Sequence, residues 1–331
     1  MEKVCVMIPV APFEPISIIQ KSVDSLKQLD TSGLNVNINY IIDCPKGPDH
    51  RIRYLKSGNI GYLARFDTRG RRGGAINDGL DAIRGPDGRP DADYIALFDV
   101  DSRPEPDFIV KCIHALKIDA NAVIASGTRY ITNQDSGWVA RVIAAEYSFF
   151  ADVYRLYERF DGFKQFNGLI GVIDARALDS TSLNEDVYCE DLEFTQRMYI
   201  SGKKPVLAET TVGEQAPTSL EELYNQRIRW MSGALEGVEE NLLGFYLAPI
   251  PVNQKLAWFT SMTLPFVAFL LTPVVPLYGL RLWSKGQDHI LVKTVGLMFH
   301  VWLISLCGVQ AILNRARKTK TEWTDTSRSD I

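Results

Sequence analysis

A chain of 331 residues, 46% hydrophobic and 23% charged, carries enough apolar side chains to bury a large core, so disordered and collagen-like classes drop out. A formal net charge of −4 supplies no basic surface for duplex nucleic acid, and no RNP, zinc-finger or leucine-zipper pattern occurs, so no nucleic-acid partner is expected. Cys5, Cys44, Cys112, Cys189 and Cys307 are dispersed with no CxxC pair, which reads as reduced thiols rather than a disulfide frame or a zinc site.

Residues 4–9 read as a buried strand, and 15–29 place Ile19, Val23 and Leu26 at helical spacing. Val36, Ile38, Tyr40 and Ile42 alternate and predict a strand ending at Asp43. Residues 44–72, dense in Gly, Pro and Arg, read as loop; Ile76, Leu80 and Ile83 predict a helix, and 85–91 form a turn cluster. An apolar strand at 94–98 runs into Asp99-Val-Asp101, and Pro104 and Pro106 open a helix carrying Ile109, Ile113 and Leu116. Residues 122–132 predict one or two strands, 138–157 an aromatic-rich packing helix, and 168–173 a further strand. One helix begins near Glu190 and another runs from about Ser219 to Leu243. This alternation predicts an α/β domain with a mostly parallel, Rossmann-like sheet and flanking helices. Ligands bind beyond the carboxyl ends of such strands, where Asp43, Asp99 and Asp101 lie.

The tail is different. Residues 256–280 are uncharged and rich in Leu, Val, Phe and Pro; residues 290–313 form a second apolar run containing Lys293. Each exceeds the roughly 20 residues that cross a bilayer, predicting a transmembrane helical hairpin. Arg315, Arg317, Lys318 and Lys320 follow, which places that end and, after two crossings, residues 1–250 on the cytoplasmic side. Pro265, Pro273 and Pro276 are many for one helix, so re-entrant or monotopic insertion competes, as does a buried hairpin. The expected domains are 1–250 catalytic, 251–314 membrane and 315–331 a cytoplasmic basic and polar tail.

Three constellations carry chemistry. Asp99 and Asp101, two carboxylates at i and i+2 where a strand stops, point the same way and suit a hard divalent cation; alone, such a pair is commonly a solvated turn. Glu190-Asp191 at a helix start offers a proton acceptor, or merely two acids favoured by the helix dipole. Ser219 and Glu222 form a capping box, so Gln226, Arg229 and Trp230 share a helix face at i, i+3 and i+4. Arginine suits phosphate oxygens, and indole offers a flat face to sugar C–H groups; the bland alternative packs the Trp into the core.

In this order the motifs resemble those of family 2 glycosyltransferases, the inverting family that includes cellulose, chitin and hyaluronan synthases, over roughly residues 4–235. The stretch 94–108 is similar to the family's metal-binding strand and following helix. Arg71-Arg-Gly-Gly-Ala-Ile-Asn77 resembles its KAGALN segment with Arg72 for Lys, and Phe166-Asn-Gly-Leu-Ile-Gly171 its acceptor-side glycine loop. Cys189-Glu-Asp191 resembles TED with Cys for Thr, and Gln226–Trp230 matches QxxRW in full. The Cys-Pro-Lys-Gly-Pro run after Asp43 departs from the usual acidic pattern.

The resemblance implies a GT-A fold, a Mg²⁺ or Mn²⁺ ion and inversion at the anomeric carbon. It implies Asp43 at the nucleotide base, Asp99 near the ribose or donor sugar, Asp101 with Asp99 at the metal, and Arg72 on the donor. It makes Asp191, beside Glu190, the general base, puts Gln226 and Arg229 at the diphosphate, and sets Trp230 and Gly168 at the acceptor. The expected reaction moves a sugar from a nucleotide-diphosphate donor, UDP by default, to a hydroxyl of a lipid-linked or membrane-embedded glycan acceptor. The runner-up is a processive polysaccharide synthase, which with so few helices would need a homo-oligomer to build a pore. A catalytically silent nucleotide-sugar or glycan-binding membrane protein is the alternative from another class.

Overall fold

The strand β1 (Glu2–Val10) is buried without a break from Val4 to Ile8, as a central strand covered on both faces must be. The computed structural model describes residues 1–179 and 182–319. After β1 come α1 (Ile16–Leu26), β2 (Leu34–Asp43), α2 (His50–Ser57), β3 (Gly61–Arg65), α3 (Arg71–Ile83) and β4 (Tyr94–Leu97). Next are β5 (Arg103–Pro104), α4 (Phe108–Ile118), β6 (Ala122–Ile131), α5 (Trp138–Arg159), β7 (Gly171–Asp174), α6 (Glu190–Ile200) and β8 (Lys204–Glu214). The helices α7 (Leu220–Leu247), α8 (Val252–Thr263), α9 (Val275–Ser284) and α10 (Ile290–Ala316) are the last elements among the described residues.

Among the described residues the strands form one sheet in the order β3-β2-β1-β4-β7-β6-β8-β5. The pairs β1–β2, β2–β3 and β1–β4 are parallel, but β4–β7, β6–β7 and β5–β8 are antiparallel. The sheet is therefore mixed, which corrects the mostly parallel expectation. The alternation misleads because α5, the helix between β6 and β7, belongs to a different compact unit rather than serving as a crossover on this sheet.

The chain divides into two compact units, one of Met1–Thr128 and Lys164–Gly213, the other of Arg129–Phe163 and the chain from Glu214 onward. In the first, side chains alternate along β1. Val4, Val6 and Ile8 join Ile19 and Val23 of α1 and Ile109 and Ile113 of α4. Cys5 and Met7 face Ile76 and Leu80 of α3 and Phe194 and Met198 of α6. Two elements lie where loop was expected. Asp49 caps α2 by accepting the Arg51 N–H at 2.8 Å, and Ile52 and Leu55 are buried; β3 is short and on the sheet edge. The strand β8 also had no counterpart in the sequence reading.

In the second unit, Ser219 caps α7 by accepting the Glu222 N–H at 3.2 Å, and the Glu222 carboxylate returns to Thr218 N–H at 3.2 Å. Near the far end of α7, Phe245 stacks on Trp258 of α8 with ring centroids 4.4 Å apart and meets Phe163 edge-on at 5.8 Å.

The apolar tail departs from a simple hairpin. The helix α10 is continuous, long and apolar enough to cross a membrane. The first run is broken: α8 passes through a 3-10 segment (Leu264–Leu271) and turns by 96° into α9. Pro265 opens the 3-10 segment and Pro276 the first turn of α9, where a missing N–H costs no ladder bond, so the prolines begin new helices instead of kinking one. Two uninterrupted spanning helices at 256–280 and 290–313 are not what the chain forms. Lys293, His300, Ser305 and Cys307 on α10 are buried, whereas Leu291, Val295, Phe299, Trp302, Leu306 and Val309 are exposed. At Gly296 an added Cβ would lie 2.1 Å from Val142 of α5, so that glycine sets a close helix approach. Lys320 and the rest of the expected tail beyond it lie outside the described residues.

Candidate active site

The first unit gathers charge at the carboxyl ends of β2, β3 and β4. Asp43 ends β2 and Arg65 ends β3, which pairs in parallel with it. Arg65 Nη1 donates to Asp43 Oδ1 at 2.6 Å, Nε to Asp78 Oδ2 at 2.6 Å, and Nη2 to the Arg69 carbonyl at 2.6 Å. Burial pushes the Asp43 carboxyl up to about 6, against the pull of Arg65. Arg51, also buried, donates to the carbonyls of Ala11 at 2.7 Å and Asp43 at 2.9 Å, tying the loop after β1 to the end of β2.

Arg65 reaches the loop that enters α3. Gly70 and Arg71 take left-handed φ of 61° and 50° there. At Gly74 a Cβ would lie 2.0 Å from the Arg69 carbonyl oxygen, so only glycine permits this approach. One turn on, Asn77 clamps a distant segment: Nδ2 donates to the Leu183 carbonyl at 3.0 Å and Glu185 Oε1 at 2.8 Å, and Oδ1 accepts the Leu183 N–H at 2.8 Å. That segment leads directly into α6.

Arg72 joins the expected residues. Its Nε donates to Asp99 Oδ1 at 2.7 Å, its Nη1 lies 3.3 Å from Glu190 Oε1, and its Nη2 donates to the Gly168 carbonyl. Burial opposes its charge, but Asp99 and Glu190 outweigh that and hold the guanidinium above its ordinary range. The other side of Gly168 is also held, since its N–H donates to Asp191 Oδ2 at 2.5 Å, while Asp191 Oδ1 accepts the Leu192 N–H at 2.8 Å. Gly168 and Leu169 adopt φ of 55° and 51°, turning the loop so that both faces of this backbone can be gripped. Further bonds stitch the loop to α6: Phe166 N–H to Thr195 Oγ1 at 3.1 Å, and Lys164 N–H to the Tyr199 hydroxyl at 2.9 Å.

The structure thus brings Arg72, Asp99, Glu190, Gly168 and Asp191 into one network. Asp101 sits buried in the turn after β4, where the Asp99 N–H donates to Ser102 Oγ at 3.0 Å. Asp43 belongs to the Arg65 network instead. Among the described residues no group of three or more His, Cys, Asp or Glu is placed to hold a metal ion. Asp99 and Asp101 offer two carboxylates on one turn. This donor set fits Mg²⁺ or Mn²⁺, which take only one or two carboxylates and complete their shell with phosphate oxygens and water.

The second unit carries Gln226, Arg229 and Trp230 on α7. The buried charged residue of that motif is Arg227, between the expected Gln226 and Arg229. Its guanidinium carbon lies 3.9 Å from the Trp230 ring centroid, its Nη1 donates to Gln226 Oε1 at 2.8 Å, and its Nη2 donates to Glu146 of α5. Burial disfavours the Glu146 charge, yet Arg227 and His300 hold that carboxyl below the ordinary range. Trp230 packs partly against Ile228, Met231, Cys307 and Ala311, so its helix face is half core.

A family model for glycosyl transferase family group 2 matches residues 94–313. The chain belongs to this family. Two rice (Oryza sativa subsp. japonica) members are similar to it. Probable glucomannan 4-beta-mannosyltransferase 3 is 29% identical over 224 residues, covering 66% of this chain and 39% of its own length. Probable glucomannan 4-beta-mannosyltransferase 7 is 26% identical over 185 residues, covering 54% and 30%. The chain therefore spans well under half the length of these family 2 relatives. Mannosyltransferase PcManGT from Pyrobaculum calidifontis, solved with GDP-Man and Mn²⁺, superposes with a TM-score of 0.65 at 13% identity over 96% of this chain and 88% of that one. S. aureus TarS superposes at 0.50 and 12% identity over 89% and 54%. At such identities the likeness is one of fold, and it is the GT-A fold.

Arg65, Asn77, Asp78, Glu185, Arg227, Glu146 and His300 were not assigned roles by sequence. Asn77 and Arg227 stood inside quoted motifs, which was a usable signal. Arg65 in an Arg-rich loop and Glu146 and His300 in apolar helices gave none.

Proposed function

We propose that this family 2 member is a metal-dependent, inverting glycosyltransferase that moves a hexosyl group, mannosyl first among them, from a nucleotide-diphosphate sugar to an acceptor hydroxyl at a membrane. The observation that carries the proposal is the Arg72 network, which ties the Asp99 turn, the glycine loop and the acidic start of α6 into one charged surface at strand ends. UDP was the default donor by resemblance. The names of the rice relatives favour a mannosyl group, and the GDP-Man held by the P. calidifontis enzyme favours a GDP-sugar instead.

In the reaction, the acceptor oxygen attacks the anomeric carbon from the face opposite the diphosphate, the bond to the diphosphate oxygen breaks, and the acceptor proton passes to a carboxylate. Asp191 takes that proton. The Gly168 and Leu192 N–H groups orient its carboxylate, whereas Glu190 is turned to Arg72 and serves to position it. A divalent cation held by Asp101 and Asp99 would offset charge on the leaving diphosphate. Arg72 answers to Asp99 and Glu190 and keeps the loop of Gly168 in register with both. Asp43 receives the nucleotide base, Gln226 and Arg229 the diphosphate, and Trp230 the acceptor.

Residues 1–250 form the catalytic part on this reading, and 251–314 attach it to the membrane through the exposed face of α10 and the broken α8–α9 pair, with the catalytic part on the cytoplasmic side. A processive variant is favoured by one observation, the glucomannan named in the relatives; product length, one sugar or many, separates the two. The test is a hydrolysis and binding screen of the purified full chain in detergent against GDP- and UDP-sugars with Mn²⁺, Mg²⁺ or EDTA. Metal-dependent release of one nucleoside diphosphate is expected. No turnover and no binding with any donor would overturn the assignment.

A further inference from the structure

The helix α10 is apolar, yet its docked face carries a buried histidine, and that histidine begins a line of polar contacts ending on the QxxRW motif. His300 Nε2 stands 2.9 Å from Glu146 Oε1. Glu146, on α5, accepts from Arg227 Nη2 through its other oxygen. Arg227, on α7, lies 3.9 Å over the Trp230 ring and donates to Gln226 Oε1 at 2.8 Å. Side-chain exposures of 2%, 5% and 1% for His300, Glu146 and Arg227 bury the line.

We infer that Arg227 is a positioning residue for Trp230, and that α10 sets its position through His300 and Glu146. A guanidinium is planar and its donors are fixed in that plane; with two of them committed to Gln226 and Glu146, the group is held in place over the Trp230 ring. Packing alone does not account for the line. A buried ion pair is often no more stable than well-packed apolar side chains of the same volume, and these helices are rich in such side chains. The consequence is directional: a shift of α10 against α5 moves Glu146, then the guanidinium, then the indole. The inference rests on the proposed acceptor role of Trp230, and α10 is the helix proposed to meet the membrane in which that acceptor resides.

The experiment uses the full chain labelled with 5-fluorotryptophan in detergent, with Trp230→Phe assigning the Trp230 fluorine resonance. Arg227→Met and His300→Gln are each expected to shift that resonance. Arg227→Met should raise the acceptor KM by about three- to tenfold, the scale of a desolvated cation on an indole, with a smaller change in donor Kd because Arg227 also holds Gln226. Arg227→Lys, which keeps the charge but loses the plane, should fall between. The double variant Arg227→Met/Trp230→Phe should show the acceptor KM of Trp230→Phe alone, because the arginine acts through the indole. An unmoved resonance in both Arg227→Met and His300→Gln overturns the inference, as do KM effects that multiply in the double variant. Should Arg227→Met not fold, His300→Gln decides by the same resonance. An inactive wild type would count against the proposed function, while the fluorine spectrum would still decide the positioning.

Discussion

Asp43→Asn separates what a buried carboxylate costs the fold from what it contributes to donor recognition. The Asp43 carboxyl titrates at about 6 in the folded chain against 3.8 for an ordinary aspartate, and the cause is burial, only partly offset by Arg65. Between those values the folded state binds more protons than the unfolded state, so unfolding free energy falls as pH rises. The stability is fully present below about pH 3.8 and is lost as pH passes about 6, a total of about 3 kcal/mol at about 1.4 kcal/mol per pH unit. Asparagine cannot ionise, so the wild-type-minus-variant difference in stability should move by about 3 kcal/mol between about pH 3 and about pH 8 and level off beyond. Urea unfolding of both proteins at closely spaced pH measures it. Donor affinity runs the other way: if the ionised carboxylate receives the base, wild-type affinity falls roughly tenfold per pH unit below about 6, and the variant is weak and flat. Calorimetric titration with the donor gives that curve. A stability difference independent of pH would refute the buried-carboxylate reasoning, and wild-type donor affinity in the variant would remove Asp43 from the base site.

Asp191→Asn should lower transfer about 10²- to 10⁴-fold while leaving donor Kd within about twofold; equal loss of both in parallel rate and binding measurements would remove its role as base. Asn77→Ala deletes three hydrogen bonds to Leu183 and Glu185 from a buried site and should cost about 2–4 kcal/mol, read as a lower urea midpoint. Gly74→Ala sets a Cβ against the Arg69 carbonyl, so the loop entering α3 must move; stability should fall by about 1–3 kcal/mol and donor affinity with it, whereas unchanged binding would uncouple that loop from the donor.

The residues that gather at the site were more legible than the architecture that gathers them. Asp99, Asp191, Glu190 and Gly168 stood in local motifs, and the fold places them in contact through Arg72. The direction of β7 was not legible, because an apolar run such as 171–174 is the same parallel or antiparallel, and the helix before it was spent in another unit. The elements α2 and β3 were hidden by charge: Arg51 and Arg65 are buried although their residue type reads as surface, and in α2 Ile52 and Leu55 are the buried apolar positions. The first apolar run was long enough to span, yet composition does not reveal whether prolines kink one helix or start the next. Arg227 was overlooked because an arginine beside a tryptophan on a helix reads as surface, and only a distant glutamate makes its burial tolerable.

The aromatic stack at the end of α7 bears on how a water-soluble fragment should be cut. Ending the polypeptide at residue 250, just before the apolar run, is the obvious choice. It would strip Trp258 from the face of Phe245 and Asn253 from the carbonyls of Phe160 and Asp161, leaving a bare ring beside Phe163. Such a fragment exchanges lipid-loving surface for an opened interior, and its aggregation would be misread as dependence on detergent. A cut after Thr263, at the end of α8, keeps the stack closed and omits the 3-10 segment, α9 and α10.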